Sequence, residues 1–377
     1  MSESDVPQPI RHMLWGKAAG RCQYRGCNEL LHIDPHTKKL MNRSYIAHII
    51  ADSPQGPRGD EVLSPQLAKD ITNLMLLCDT HHRLIDVRDV VGHSVNLLRD
   101  MKKEHELRIE LVSQIQEDRQ SQIVLYGSNI GDHSSPISYE RVVNVLLPER
   151  YSADSRAVEL GWRNSSFYDH EDSYWKLEHE NLKRQIQTNL LPLLASGARR
   201  HISVFALAPQ PLLISLGAML PDLYAADVYQ LQREPEQKWG WVDSNIDIEF
   251  IIEPPEKLFN IVALNLSLSA SIDSSRITEV LGDEVSIWTV TIPQPNNDFM
   301  KSKSQLMIFR QTLRKLMDRI KLVHGQNNQI HVFPAMAVST AIELGRILMP
   351  KADLPLLIYD QSKNSNKFIR ALEVQKG

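Results

Sequence analysis

The feature that most constrains this chain is the concentration of metal-binding side chains in its first third. All three cysteines and eight of the fourteen histidines lie within residues 1–110. Cys22 and Cys27 form a Cys-x4-Cys pair, and Cys78 with His81 forms a Cys-x2-His pair. Two such pairs supply the four sulfur and imidazole ligands that a tetrahedral zinc ion prefers. We therefore predict a structural zinc that stabilises a small N-terminal domain with little core of its own.

The segment 45–86, YIAHIIADSPQGPRGDEVLSPQLAKDITNLMLLCDTHHRLID, adds three polar residues in the order His48, Asn73, His82. Cleavage of a phosphodiester needs a base that deprotonates water and a metal that absorbs negative charge. His48, in an apolar run, is held rigidly enough to be that base, and His82 is placed to hold a catalytic magnesium or similar divalent cation. Asn73 fixes the loop or orients the base. Each residue taken singly fits a structural role, so the prediction depends on their joint spacing.

The segments AHI, QGPRG and NLMLLCDTHHRLID resemble the HNH endonucleases of ββα-metal fold, in the branch that carries zinc-finger ligands. The resemblance covers roughly residues 15–110. It implies an α+β domain that cleaves double-stranded DNA with a metal ion, with His48 as general base and His82 as metal ligand.

The chain departs from that family at one position. Many members carry an acidic metal ligand just before the first histidine, where this chain has Ala47. Asp52, Asp60 and Asp86 are candidates for the replacement ligand. We favour Asp86, which follows His82 by one helical turn on the same face.

Downstream composition divides the chain into further segments. We assign residues 1–120 to the nuclease domain and residues 121–150, rich in Gly, Ser, Asn and Pro, to a connector. Residues 151–377 alternate helical and apolar strand patterns, which predicts an α/β domain with a mostly parallel, Rossmann-like sheet. Two of its apolar runs, FALAPQPLL and VFPAMAVSTA, pass through a proline-containing turn straight into a helix. The sequence shows no obvious internal repeat.

Residues 200–241, RHISVFALAPQPLLISLGAMLPDLYAADVYQLQREPEQKWGW, resemble a SAVED domain, and the likeness continues through FNIVALNLSLSA to VFPAMAVSTAIELGR. SAVED domains resemble two fused CARF-like Rossmann units and sense cyclic oligonucleotides. An HNH nuclease joined to SAVED resembles an effector of bacterial CBASS anti-phage defence. The resemblance implies a nuclease activated by a cyclic nucleotide, most simply a cyclic dinucleotide.

A cyclic nucleotide presents flat bases and phosphates, so its pocket needs stacking side chains and anion donors. The predicted contacts are residues of those kinds beside predicted strand ends or helix starts: Pro209, Gln210, Tyr229, Arg233, Trp239, Ser269, Lys301, Ser302, Pro334 and Met336. Any one of them fits a packing role equally well.

Charge and cysteine content limit the expected DNA affinity and the expected cellular compartment of the chain. The net charge of −4 and the pI of about 6.4 disfavour constitutive tight DNA binding. The start of the chain lacks a secretory signal, no run is apolar enough for a membrane helix, and the odd cysteine count suits a reducing cytoplasm, here bacterial. We expect a homo-oligomer, dimer to tetramer, on activation.

Two alternatives stay open. One is an ungated HNH restriction-type nuclease whose C-terminal domain recognises DNA. The other is a catalytically inactive zinc-binding signalling module, which the alanine at position 47 favours slightly. Metal-dependent nicking of DNA separates them.

Overall fold

The chain forms two compact units, Met1–Gln116 and Glu117–Gly377. A computed structural model describes residues 5–130, 137–161, 167–171, 173–196, 201–242, 248–362 and 366–376. Among these residues, no helix is both long enough and apolar enough to cross a membrane.

The first unit is built around one antiparallel pair of strands. Its elements are α1 (Gln8–Lys17), β1 (Ser44–His48), α2 (Leu63–Leu67), β2 (Leu74–Cys78), α3 (Asp79–Arg83) and α4 (Val95–Ser113). β1 pairs with β2 so that His48 lies opposite Leu74 and Ser44 opposite Cys78. All five residues of β2 are buried, because its sequence LMLLC is apolar throughout. α3 starts directly after β2 and continues as a π-helical turn, Leu84–Arg88.

The second unit contains two sheets with helices, which confirms the α/β fold predicted for the C-terminal half. Its first elements are β3 (Gln120–Gly127), α5 (Tyr139–Val142), β4 (Tyr151–Ser152), β5 (Val158–Glu159), α6 (Tyr174–Gln185), α7 (Leu191–Ala195), β6 (His201–Leu207), α8 (Gln210–Met219), β7 (Ala225–Val228), β8 (Leu231–Gln232) and β9 (Lys238–Trp239). They are followed by β10 (Ile251–Glu253), β11 (Ile261–Ser267), α9 (Ser274–Leu281), β12 (Val285–Thr291), α10 (Lys303–His324), β13 (Ile330–Ala335), α11 (Val338–Arg346), β14 (Leu356–Gln361) and β15 (Phe368–Val374).

Both large sheets are mainly parallel. The five-stranded sheet has the order β4-β3-β6-β7, with β5 also paired to β3, and all of its pairs are parallel. The six-stranded sheet has the order β10-β12-β11-β13-β14-β15, in which the four inner strands are parallel and the two edge strands antiparallel. One apolar cluster joins residues of both sheets, so the unit has a shared core.

The structure corrects the prediction of a connector over residues 121–150. Gln120–Gly127 is β3, which pairs with β6 and lies inside the five-stranded sheet. The run QSQIVLYG is apolar enough to be buried from Ser121 to Tyr126, so it belongs to the core of the second unit. The Gly, Ser and Pro content that suggested a linker starts only after this strand.

The structure also contains a duplicated strand–helix segment, although the sequence shows no obvious internal repeat. Residues 204–217 read VFALAPQPLLISLG, and residues 332–345 read VFPAMAVSTAIELG. Each segment runs from a parallel strand into a helix, β6 into α8 and β13 into α11. The two helices pack against each other at glycines in matching positions, Gly217 and Gly345. The two segments share only the VF start and the I-x-L-G end, so the sequence similarity between them is weak.

Candidate functional site

The first unit brings the four predicted zinc ligands together. The ligand atoms of Cys22, Cys27, Cys78 and His81 all lie within 4.8 Å of one another. Sγ of Cys78 lies 3.1 Å from Nδ1 of His81, and Sγ of Cys22 lies 3.8 Å from the same nitrogen. Three thiols and one imidazole match the donor set of a structural zinc site.

The surroundings of this cluster suit a bound cation. Burial raises the pKa of the Cys22 thiol and lowers the pKa of His81, so the pocket alone disfavours charge on its ligands. A divalent cation would supply the charge that makes thiolates and neutral imidazole the stable forms. The ring of Tyr24 stacks on His81 at 4.1 Å between centroids and fixes the ring's orientation.

The imidazole of His48 lies at the end of β1 and is oriented by the loop before β2. Its Nε2 lies 2.9 Å from the carbonyl oxygen of Ala68, an acceptor, so Nε2 carries the proton. The other nitrogen, Nδ1, is then left with its lone pair. His48 is 7% exposed and lines a cavity of about 1010 Å³ between α1 and β1. A neutral imidazole with Nδ1 unprotonated can accept a proton from water.

Asn73 braces the loop around His48. Its Oδ1 accepts the N–H of Ile50 at 2.9 Å, and its Nδ2 donates to the carbonyls of Ile50 and Leu67 at 2.8 and 3.3 Å. The side chain is buried, with both ends of the amide bound to the backbone. Asn73 therefore holds the loop beside His48 in place, which is the first of the two roles predicted for it.

His82 and Asp86 form a pair on the helical segment after β2. Nε2 of His82 lies 3.3 Å from Oδ2 of Asp86, and both side chains are partly exposed, 30% and 20%. The ring of Tyr45 stacks on His82 at 5.0 Å. Burial lowers the pKa of His82, which favours the neutral form that binds metals. An imidazole and a carboxylate at this separation match the donor set of a divalent cation.

Of the other two candidate carboxylates, Asp60 is hydrogen-bonded within its own turn. Its Oδ1 accepts the N–H groups of Val62 and Leu63, and these bonds lower its pKa. Asp52 is half-buried in the loop that follows β1. Ala47 is buried in the apolar core of the unit. Asp86, which faces His82, is thus the carboxylate that fits a shared ion best.

In the second unit, each large sheet reverses its winding direction between two neighbouring strands. From β3 the chain continues to β4 and β5 on one side, whereas β6 lies on the other side. From β11 it continues to β12 on one side, whereas β13 lies on the other. Crevices outside the carboxyl ends of parallel strands at such points are the usual ligand sites of α/β sheets.

Two glutamines connect the two switch points. Oε1 of Gln210, at the start of α8, accepts the N–H of Met336 at 3.0 Å, just before α11. Oε1 of Gln230 accepts the N–H and Oγ–H of Ser339 at 3.1 and 2.8 Å. Since α8 follows β6 and α11 follows β13, these bonds place both switch points at the same end of the unit.

Four of the predicted ligand contacts lie at this end. Pro209 and Gln210 open α8, and Met336 lies just before α11. Ser269 follows β11, and its N–H donates to the carbonyl of Ala335 at 2.7 Å. The structure thus brings together residues from two distant parts of the sequence at one end of the unit.

Two predicted aromatic contacts lie elsewhere. Tyr229 is buried, with its ring stacked on Phe205 at 4.4 Å. Trp239 is half-buried and meets Phe205 edge-on at 5.4 Å. Both pack on one face of the five-stranded sheet with Val142 and Leu146. Phe205 therefore covers one face of the Tyr229 ring, whereas the Trp239 ring meets Phe205 edge-on and stays partly exposed.

The remaining predicted contacts have local partners. Pro334 is buried inside β13. Nζ of Lys301 donates to Oε1 of Gln232 at 3.2 Å, and Oγ of Ser302 caps the start of α10. The backbone N–H of Arg233 donates to a carboxylate at 3.0 Å. These roles account for Pro334, Lys301 and Ser302 without a ligand, whereas for Arg233 the bond engages only the backbone and the side chain is exposed.

The sequence did not predict Gln230 and Ser339, two buried residues whose hydrogen bonds connect the two switch points. The available signal was positional, because Gln230 lies two residues after β7 and Ser339 is the second residue of α11.

Residues 182–374 match the sequence family SAVED, described as the SMODS-associated and fused to various effectors sensor domain. No match was found among curated proteins.

Solved structures of the SAVED/CARF-domain containing receptor Cap4 of Acinetobacter baumannii show a distant likeness. With the cyclic trinucleotide 2'3'3'-cAAA, the TM-score is 0.44 at 11% identity, over 78% of this chain and 66% of that chain. With 3'3'3'-cAAA, the TM-score is 0.43 at 12% identity, over 78% of this chain and 66% of that chain. For a third structure of the receptor, the TM-score is 0.43 at 11% identity, over 78% of this chain and 64% of that chain. This chain therefore spans just under two thirds of the receptor's length.

Proposed function

This chain belongs to the SAVED family of sensor domains, and from that membership we propose that it is a DNA endonuclease switched on by a cyclic oligonucleotide. The second unit is the sensor, and the first unit is an HNH-type nuclease that degrades double-stranded DNA. Such a pairing fits an effector of CBASS anti-phage defence in the bacterial cytoplasm. The observation that carries the proposal is the joining of two switch points at one end of the sensor unit.

A duplicated switch point suits a ligand that is itself repetitive. Each switch point offers backbone N–H groups and small polar side chains at the carboxyl ends of strands. Gln210 and Gln230 cross between the two halves, so a ligand seated there contacts both. A cyclic oligonucleotide, with repeated bases and phosphates in one small ring, matches that arrangement. Cyclic dinucleotides are the simplest members of this class.

The nuclease chemistry is assigned to residues of the first unit. His48 takes a proton from the attacking water at Nδ1, while Ala68 holds the proton on Nε2. Asn73 keeps the loop that carries His48 in place. His82 and Asp86 would hold magnesium or a similar ion, which supplies charge stabilisation at the scissile phosphate when bound. Cys22, Cys27, Cys78 and His81 would hold the structural zinc.

We propose that the nucleotide activates the nuclease because it binds one conformational state of the chain more tightly than another. A ligand shifts a conformational equilibrium only as far as it binds one state more tightly than the other. We propose that the cyclic oligonucleotide binds an assembled state in which protomers, dimer to tetramer, bring nuclease domains together on both DNA strands. The chain's net charge of −4 makes unassisted DNA binding weak.

The test is plasmid cleavage by the zinc-loaded full chain with magnesium, with and without a panel of cyclic di- and trinucleotides. One member should raise the cleavage rate by about 10²-fold or more. His48→Ala should lower the stimulated rate by about 10²–10⁴-fold, as expected for loss of a general base. Ligand-induced assembly, measured by light scattering, should persist in that variant. Equal cleavage without any nucleotide would contradict the switch.

One observation favours a second function, a catalytically inactive zinc-binding signalling module. Ala47 is buried in the core, where many HNH nucleases carry an acidic ligand. The same experiment decides between the two functions, because an inactive module assembles with nucleotide and leaves the plasmid intact in every metal tested.

A further inference from the structure

The side chain of Arg58 crosses the first unit from the turn after β1 to the helical segment after β2. Its Nε donates to the carbonyl of Ile49 and its Nη1 to the carbonyl of Ile85, each at 2.7 Å. Nη2 donates to Oδ1 of Asp86 at 2.5 Å and lies 3.4 Å from the carbonyl oxygen of His48. The side chain is only 6% exposed. A buried guanidinium group with this many hydrogen-bond partners either positions a functional site or contributes strongly to the stability of the fold.

The turn itself is shaped around this side chain. Arg58 has a φ of 58°, a left-handed conformation that residues with a Cβ rarely adopt. The turn is also tightly packed, since a Cβ on Gly56 would meet Cβ of Ala51 at 2.6 Å and one on Gly59 would meet the Pro54 carbonyl oxygen at 2.3 Å. Such strain persists only where surrounding contacts enforce it. Here the contacts are those of the guanidinium group.

Arg58 also decides which atoms of Asp86 remain available. Oδ1 is bound to the guanidinium, whereas Oδ2 points to Nε2 of His82 at 3.3 Å. Two ligand atoms about 2.1 Å from one divalent cation, at near right angles, lie roughly 3 Å apart. Because the guanidinium group binds Oδ1 of Asp86, Oδ2 of Asp86 and Nε2 of His82 lie at the spacing of two neighbouring ligands of one ion.

We propose that Arg58 is a positioning residue for the catalytic ion. It fixes Asp86 through Oδ1, so that Oδ2 and His82 form the ion-binding pair, and it ties that pair to the end of β1 that carries His48. The proposal rests on the proposed nuclease function, because the ion is the one that function would use. Lysine cannot replace Arg58, since an ammonium lacks the planar fork that reaches two carbonyls and a carboxylate at once.

The test measures ion binding by the zinc-loaded full chain, with Mn²⁺ alone as the probe and without DNA or nucleotide. Electron paramagnetic resonance gives the Kd for Mn²⁺. Arg58→Gly, which suits the left-handed backbone, should raise that Kd by about 10–100-fold, as expected for loss of a group that orients a metal ligand. Millimolar methylguanidinium should restore most of the affinity. A purely structural role would not produce such rescue.

Three further variants define the result. His82→Ala should abolish the same Mn²⁺ site, which locates it. Arg43→Ala removes another partly buried ion pair of the unit, Arg43 with Glu29, and should leave the Kd unchanged. If Arg58→Gly loses its zinc, Arg58→Lys replaces it, with an expected Kd increase of about 10-fold and retained zinc.

Wild-type affinity in the Arg58 variants would overturn the proposal, as would weakened binding in Arg58→Gly that methylguanidinium fails to restore. Neither result depends on DNA cleavage. Arg58-dependent Mn²⁺ binding in a chain that never cuts DNA would support this inference and contradict the proposed function. Normal nucleotide-gated cleavage with Arg58-independent Mn²⁺ binding would do the reverse.

Discussion

Asp360 shows how burial changes the chemistry of a single side chain. It lies near the end of β14, where burial and the charge of Asp169 raise its pKa to about 7. A carboxyl group whose pKa is higher in the folded than in the unfolded protein stabilises the fold fully below its unfolded pKa, near 4. That contribution is lost as the pH rises through 7.

Asp360→Asn should therefore stabilise the protein increasingly between pH 4 and pH 7, and by a constant amount above that. Its free energy of unfolding at pH 8 should exceed that of the wild type by about 2–4 kcal/mol. Urea denaturation at several pH values measures the difference. Asp118→Asn, on an exposed side chain, is the control and should have little effect at any pH. A pH-independent gain would show that the amide packs better for another reason.

At the scale of elements, the crossing of α8 and α11 holds the two halves of the sensor unit together. A Cβ on Gly217 would lie 1.9 Å from the carbonyl oxygen of Ile342, and one on Gly345 would lie 1.9 Å from that of Ile214. Backbone therefore packs directly against backbone, with no room for a methyl group. The matching positions of the two glycines follow from the duplicated strand–helix segments.

Gly217→Ala should lower the free energy of unfolding of the second unit by about 3 kcal/mol or more, because the helices must separate or shift. Gly16→Ala is the matched control, since nothing lies within 4 Å of a Cβ at that helical position. It should stabilise α1 by about 0.5–1 kcal/mol through the better helix propensity of alanine. Thermal and urea unfolding compare the two. Equal effects of both substitutions would mean that the crossing is looser than described.

At the scale of the whole molecule, the two units should differ in their dependence on zinc. The first unit has a small core and a four-residue ligand cluster, whereas the second has a large shared core. Zinc binding free energy contributes directly to the folding of a small domain. Removal of the ion therefore affects one unit and not the other.

Calorimetry of the full chain should show two transitions. A zinc chelator should lower the Tm of one of them by roughly 10 °C or more and leave the other unchanged. A cyclic oligonucleotide that stimulates cleavage should raise only the second. Cys22→Ser should reproduce the effect of the chelator in its absence. A chelator that shifts both transitions equally, or neither, would contradict a structural zinc confined to the first unit.

The sequence by itself determined the features that depend on residues close together in the chain. The spacing of Cys22, Cys27, Cys78 and His81 defined one ligand set, and the apolar runs defined an α/β second half. Short pairs and periodic patterns carry this information because neighbouring residues are constrained by local geometry alone.

Only the tertiary structure decided which side chains face a site. It showed that Tyr229 packs on Phe205, that Gln210 and Gln230 connect two switch points of the sheets, and that Arg58 holds Asp86. Each of these contacts links residues whose relative orientation depends on how whole elements pack. A sequence pattern cannot specify it, because the same residue types serve equally well in a core, at a crevice or in a turn.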